Sequence, residues 1–418
     1  MDLRSKLGLY REGIGRSAEA LQHKSSCDVD DVVRGRIQTN GYGSFYLIEK
    51  RIPLSFLHGG YKLGAALAVS SDVITALGGE DCVGLRAGQL LYLDTETTGL
   101  SGGAGTVAFL IGTGFFEQDE FVIRQYFMRD YNEEAAMLAE LQQLFAAHKG
   151  FVTFNGKAFD INLLQSRFIS NRLRPSFKDF PNVDLLYPSR RVWGLKLESC
   201  RLSSLEEFIL GQYREDDIPG AQIPSVYFKY VEDRDATEIK RVISHNEQDI
   251  LSMVSLLSKL SSMMNSPFSE TDCGFELLGM GRLFEASGKT DEMLECLEAC
   301  ASSELFSVRM RAVRKLTGVY KRNGSYEQAL EHWRAVEAEN PEFELFHLIE
   351  MAKYYEHKAN DPKQALQIAE KAVKNCLHSG LSGTRQFGEL KKRCDRLRRK
   401  CQAIRERRTN PENRAQNS

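Results

Sequence analysis

The sequence predicts an α/β domain, a mixed sheet with flanking helices, followed by an all-α domain of helical repeats. Three observations predict it. Between Gln89 and Lys259, short apolar runs closed by turn residues are interleaved with apolar residues at helical spacing. From about Gly274 the pattern is helical throughout, and a turn followed by a helix start recurs at Gly288, Gly324 and Asn360, a period of 36. Two acids, Asp94 and Glu96, stand at the end of the first apolar run, where open α/β sheets place their sites.

The elements follow in order. Residues 1–86 carry mixed short segments: Gly41 to Ile48 alternates like a strand, Leu63 to Leu77 suits a helix, and His58-Gly-Gly is a loop with no chemistry assigned to the histidine. Leu90-Leu-Tyr-Leu-Asp-Thr-Glu reads as a buried strand. Val107 to Gly112 and Phe121 to Phe127 follow as strands, Glu133 to His148 as a helix, and Gly150 to Phe154 as a strand stopped by Asn155-Gly156. Glu238 to Lys259 is the last helix of this domain. The boundaries expected are 1–86, a region of unknown role; 87–262, the α/β domain; 273–390, the repeats; and 391–418, a basic, partly disordered tail. The repeat turns are Gly288 to Met293, Gly324 to Ala329 and Asn360 to Ala365, with Leu294, Leu330 and Leu366 in register and Pro341 near the end of the second repeat. Each helix pair of such an array buries its apolar face only by stacking on its neighbours. The pattern is tetratricopeptide (TPR)-like, and an unrelated helical bundle is the plainer alternative.

Composition narrows the function. The net charge of -2 excludes a bulk polycation, so contact with nucleic acid must rest on local charge. Residues 391–408 supply such a segment, with ten Lys/Arg against Asp395 and Glu406, and Arg398 and Arg399 are its candidate phosphate contacts. No run of 18 apolar residues occurs, so no membrane span is expected. The nine cysteines form no CxxC, and Cys296 and Cys300 lack histidines at zinc spacing, so reduced, buried thiols in a cytoplasmic protein are expected.

The acids carry the chemistry. Asp94 and Glu96 share one face of their strand, and side-by-side carboxylates repel unless a cation is shared. Asp160 falls in the first turn of the helix after Asn155-Gly156, where dipole complementarity is its bland role. Asp249 lies on the apolar stripe of Val242, Leu256 and Leu260, with His245 one turn before it. The plain alternative is a core His–Asp hydrogen bond. Four acids and a histidine on three elements suit two divalent cations, Mg²⁺ or Mn²⁺. Thr97, Asn155 and Lys157 are candidate nucleic-acid contacts beside the acids, whereas Arg190-Arg191 reads as surface charge and Asp184 as structural. Gly102-Gly-Ala-Gly resembles half a phosphate loop, but no GKS or GKT follows it at phosphate-loop spacing.

Asp94-Thr-Glu-Thr-Thr-Gly-Leu resembles the first motif of the DEDD-type (DnaQ-like) 3′–5′ exonucleases, which include the proofreading subunit of the bacterial replicative polymerase and oligoribonuclease. Phe154 to Asp160 is similar to their second motif and His245 to Asp249 to their third. Asp184-Leu-Leu-Tyr-Pro, Ser204-Leu-Glu-Glu and Arg214-Glu-Asp-Asp-Ile-Pro-Gly resemble the bacterial YprB-type branch, which carries helical repeats after the nuclease-like domain. The resemblance implies a ribonuclease-H-like fold, Asp94, Glu96, Asp160 and Asp249 as ligands of two metal ions, His245 as general base, and a nucleic-acid substrate. One departure stands: the base of the histidine class precedes the last Asp by five residues, and His245 precedes Asp249 by four, the tyrosine-class position. The alternatives are a ribonuclease-H-like endonuclease and a non-catalytic scaffold whose repeats bind a protein partner.

Overall fold

The computed structural model describes residues 27–99, 105–177, 179–271, 274–339 and 344–409. Residues 102–104 of the glycine loop, Cys273, Pro341 and the polar end of the tail lie outside the described residues. One compact unit takes the chain up to Arg190 and then Ser199–Asn265; a second takes Arg191–Glu198 and the chain from Ser266.

Among the described residues the first unit holds nine strands: β1 (Arg36–Asn40), β2 (Gly43–Pro53), β3 (Leu57–His58), β4 (Tyr61–Lys62), β5 (Leu90–Thr97), β6 (Ala108–Glu117), β7 (Glu120–Phe127), β8 (Gly150–Thr153) and β9 (Asn182–Asp184). Its helices are α1 (Val29–Val32), α2 (Ser71–Gly78), α3 (Glu134–Ala146), α4 (Asp160–Ser170), α5 (Leu186–Trp193), which runs past Arg190, α6 (Leu202–Leu205), α7 (Ile223–Asp233) and α8 (Ile239–Asn265). A π-helical turn, Glu206–Leu210, continues α6. Seven strands form one mixed sheet in the order β1-β2-β7-β6-β5-β8-β9, with β8 parallel to β5 and to β9 and the other pairings antiparallel. β5 is thus central, and its Leu90 to Leu93 are fully buried, as the apolar run requires.

The two faces of β5 have different partners. Leu91 and Leu93 join the core formed with α3, α4 and α7, where Phe145, Phe168 and Tyr227 pack. The alternate residues face α8, which lies across β5, β6 and β7. Period two therefore delivers Asp94 and Glu96 to α8 and Thr95 to the α4 side.

The expected boundary at residue 86 does not separate compact units. β2 pairs with β7 along eight residues, Tyr46↔Phe127 to Pro53↔Glu120, so β1 and β2 extend the same sheet. Phe45 to Ile48 are all buried rather than alternating, because both faces of this part of β2 are covered. The helix expected over Leu63 to Leu77 is split into a 3₁₀ turn, Leu63–Ala68, and α2. His58 is buried, its Nε2 2.8 Å from Ser252 Oγ, and burial pushes its pKa down to about 4, so it is a neutral packing residue.

The second unit is all helix: α9 (Pro267–Glu270), α10 (Gly274–Ala286), α11 (Thr290–Ala301), α12 (Phe306–Arg322), α13 (Tyr326–Ala338), α14 (Phe346–His357), α15 (Pro362–His378) and α16 (Arg385–Thr409). The period of 36 is geometric as well as sequential: Gly288, Gly324 and Asn360 have φ of 75°, 80° and 51°, the left-handed turn that ends one helix and starts the next. Cys296 and Cys300 are buried on α11, and burial pushes their thiols up to about 12 and about 11, so neither is a ready thiolate.

The boundary at 390 falls inside α16. Phe387, Leu390, Cys394 and Leu397 make a buried stripe on this basic helix, which packs on α15. Arg393 and Arg396 pair with buried Glu356 on α14, and Arg398 pairs with Glu370 and Asp395. Over its described residues the tail is thus a packed helix with much of its charge engaged. Leu397→Ala is expected to destabilise the chain by about 2–4 kcal/mol in urea unfolding; an unchanged midpoint would contradict this packing. Among the described residues no helix is long and apolar enough to cross a membrane.

Candidate active site

The site forms where β5 ends. A bulge between Glu96 and Thr97 breaks the β5–β6 register there, and bulges of this kind re-aim side chains. Thr97 turns its hydroxyl to Gly99 O at 2.8 Å.

Asp94 is fixed by a line of residues that only the register reveals. Opposite it on β6 is Gly112, and opposite Gly112 on β7 is Gln125. Fully buried Asn246 of α8 lies over this line. Its Nδ2 donates to Asp94 Oδ2 at 2.7 Å, and its Oδ1 accepts from Gln125 Nε2 at 2.9 Å. Gly112 makes the room, since a Cβ there would lie 2.0 Å from Asn246 Oδ1. Gly112→Ala is therefore expected to cost about 1–3 kcal/mol by overpacking and to impair any activity that needs Asp94, as read by denaturation and turnover. Gly220→Ala, with nothing within 4 Å of its Cβ, is the silent control. Equal stability of the two variants would contradict the close approach.

Asp160 opens α4 and is reached from the other side of β5. Its Oδ1 accepts from Thr95 Oγ1 at 2.5 Å. The loop before it is held by Asp184: Oδ1 accepts from Asn155 N at 2.7 Å and Leu186 N at 3.1 Å, and Oδ2 from Lys157 N at 3.1 Å. Asn155 takes the left-handed conformation, φ 68°, that lets this loop turn. Asp184 is thus spent on backbone, in keeping with a structural role, and Lys157 Nζ lies 3.4 Å from Gly78 O.

α8 supplies the rest. His245 Nε2 is 3.9 Å from Glu96 Oε1 and 3.7 Å from Asp249 Oδ2, so one helical turn is enough to bring the imidazole to the cluster. Glu96, His245 and Asp249 each offer a ligand atom, all within 4.8 Å of one another. Asp94 and Asp160 lie close enough for Glu96 to feel their charge. Burial, then the charges of Asp249 and Asp160, pushes the Asp94 carboxyl well above the usual carboxylate range. Burial, then Asp94, Asp249 and Asp160, does the same to Glu96. Burial pushes Asp160 up to about 6, against the Thr95 hydrogen bond.

Four residues of the site carried no role in the sequence reading beyond their place in segments or patterns: Arg214, Glu206, Asp217 and Asn246. The side chain of Arg214 is only 8% exposed, binds Glu206 through two hydrogen bonds of 2.6 Å, and pairs with Asp249 through Oδ1. It is the partner that an acid on an apolar stripe requires. Asp249 Oδ2 remains turned toward His245. Among the described residues no Lys or Arg is salt-bridged to Asp94 or Glu96. Oxygen donors with one imidazole, two of the carboxyls lacking such a partner, fit a hard divalent cation such as Mg²⁺ or Mn²⁺. Arg398 and Arg399 lie on α16 in the other compact unit.

The strand order β7-β6-β5-β8-β9, with acids at the end of β5, belongs to an α/β domain whose residues 91–261 match the family model described as RNase_H superfamily. Over 366 residues the chain is 31% identical to the protein named "Uncharacterized protein YprB" of Bacillus subtilis (strain 168), an alignment covering 84% of this chain and 85% of that one. The chain belongs to the YprB family, with a ribonuclease-H-like domain followed by a helical one.

Proposed function

We propose that the protein is a metal-dependent nuclease, a 3′–5′ exonuclease that hydrolyses phosphodiester bonds of DNA or RNA. One observation carries this: five ionisable groups from β5, α4 and α8 converge at the end of the central strand, where burial and the neighbouring acids push the Asp94 and Glu96 carboxyls well above their usual range. Such an arrangement is costly unless a cation is shared. Asp94, Glu96, Asp160 and Asp249 would hold two divalent ions. Bound there, Mg²⁺ or Mn²⁺ would supply the charge that activates water and steadies the leaving 3′ oxygen.

The chain's own groups do the remaining work. Asn246 keeps Asp94 turned into the site, and Thr95 keeps Asp160 beside it. His245 takes a proton from the attacking water through Nε2, the ring nitrogen facing Glu96 and Asp249. Thr97, the last residue of β5, and Asn155 and Lys157, on the loop before α4, are proposed to meet the nucleic acid. The helical unit is read as three TPR-like pairs closed by α16, and this reading makes it the seat of a protein partner.

The test is incubation of the purified chain with Mn²⁺ and end-labelled DNA and RNA oligomers, linear and circular. Release of mononucleotides from linear substrate, with circles intact, is expected. Cut circles would replace the exonuclease by an endonuclease, and no cleavage of any substrate would favour the scaffold.

A further inference from the structure

The loop between the π-helical turn and α7 ends on the histidine, and its geometry selects one ring tautomer. Gly211, left-handed at φ 63°, closes the turn and sends residues 212–217 across the site. Asp217 Oδ1 lies 2.7 Å from His245 Nδ1, and Arg214 Nη1 lies 3.1 Å from the same nitrogen. A carboxylate only accepts and a guanidinium only donates, so Nδ1 can satisfy one of them.

With the proton on Nδ1, the ring donates to Asp217 at the shorter distance, and the lone pair of Nε2 faces Glu96 and Asp249. With the proton on Nε2, the Nδ1 lone pair would meet a carboxylate oxygen at 2.7 Å, and the N–H would find its nearest acceptors at 3.7 and 3.9 Å, beyond a hydrogen bond. The first arrangement makes the shorter contact a hydrogen bond and leaves Arg214 Nη1 its ion pair with Asp217 in place of the ring nitrogen. Arg214 then holds both ends of it, 3.6 Å from Asp217 Oδ2 and bound to Asp249 Oδ1, while Glu206 anchors its guanidinium from behind.

We propose that Asp217 is the positioning residue of His245: it fixes the Nδ1–H tautomer and so presents the Nε2 lone pair to the acidic cluster, with Arg214 clamping Asp217 and Asp249 at a common spacing. Deleting such an outer partner costs about 10–100-fold in the activity of the group it orients. The consequence for turnover rests on the nuclease reading; the tautomer does not.

The experiment uses the full chain labelled with ¹⁵N-histidine, metal-free, at a pH where the imidazole is neutral. His245 is assigned by the signal lost in His245→Gln. The wild type is expected to show the Nδ1–H pattern and Asp217→Ala the Nε2–H pattern. Asp217 is on a partly exposed loop, so Asp217→Ala is expected to fold, and Asp217→Glu restores a carboxylate and is expected to recover part of the Nδ1–H form. In turnover on the oligomer that the wild type cleaves, Asp217→Ala lowers kcat about 10–100-fold and leaves KM within about twofold. An Nε2–H wild type, or an Asp217→Ala that leaves the tautomer or kcat unmoved, overturns the proposal. A tautomer that moves in a protein inactive on every oligomer upholds the assignment of Asp217 and overturns the nuclease reading instead.

Discussion

Asp94→Asn is expected to abolish cleavage, a loss of about 10³-fold or more, equivalent to some 4 kcal/mol of transition-state stabilisation. The substitution is nearly isosteric, and the amide oxygen can still accept from Asn246 Nδ2, so the line through Gly112 and Gln125 stays filled. What it removes is one charge from a site where Asp94, Asp249 and Asp160 repel. The metal-free variant is therefore expected to be as stable as the wild type or more so near neutral pH. The sign follows from the raised pKa: ionised carboxyls held above their usual range destabilise the folded state at high pH, and the penalty fades as pH falls through that raised value. The stability gain of Asp94→Asn should shrink accordingly in acid. Full activity, or a large loss of metal-free stability, would contradict the role given to Asp94.

His245→Ala is expected to lower turnover by about 10²–10⁴-fold, the usual worth of a general base, with Mn²⁺ affinity kept within about threefold. His245→Gln should do no better, since an amide takes no proton at neutral pH. The geometry bears on the departure noted in the motif: at four residues before Asp249 the imidazole still faces Glu96 and Asp249, at 3.9 and 3.7 Å. A loss below threefold would return His245 to a packing role beside Asp217.

What the sequence made legible was local. The apolar run Leu90 to Leu93, ended by Asp94 and Glu96, declared a buried strand with acids at its tip, and period two placed both carboxyls on one face. Asp160 in the first turn of a helix, His245 and Asp249 one turn apart, and the period of 36 were read from spacing alone. What stayed hidden needed pairing across the chain. Asn246 is an unremarked polar residue until the register sets Asp94, Gly112 and Gln125 in one row beneath it. Arg214 lies 35 residues from Asp249 and Asp217 28 from His245, on a loop whose path no periodicity reports. β1 and β2 were set apart because β2 joins β7 across more than 60 intervening residues. In α16 the basic composition masked the stripe of Phe387, Leu390, Cys394 and Leu397 that packs it. Local propensity marks elements; the contacts that turn a row of acids into a site are long-range.

The central claim is that these acids hold divalent cations, and it is tested most directly by the melting temperature of the wild type and of Asp94→Asn, each with and without Mn²⁺. A ligand that binds only the folded state at 100 times its Kd stabilises by about 2.7 kcal/mol. The wild type should therefore melt several degrees higher with Mn²⁺, and Asp94→Asn should rise clearly less. An equal rise in both proteins would place the ions elsewhere, and no rise in either would contradict the metal site itself.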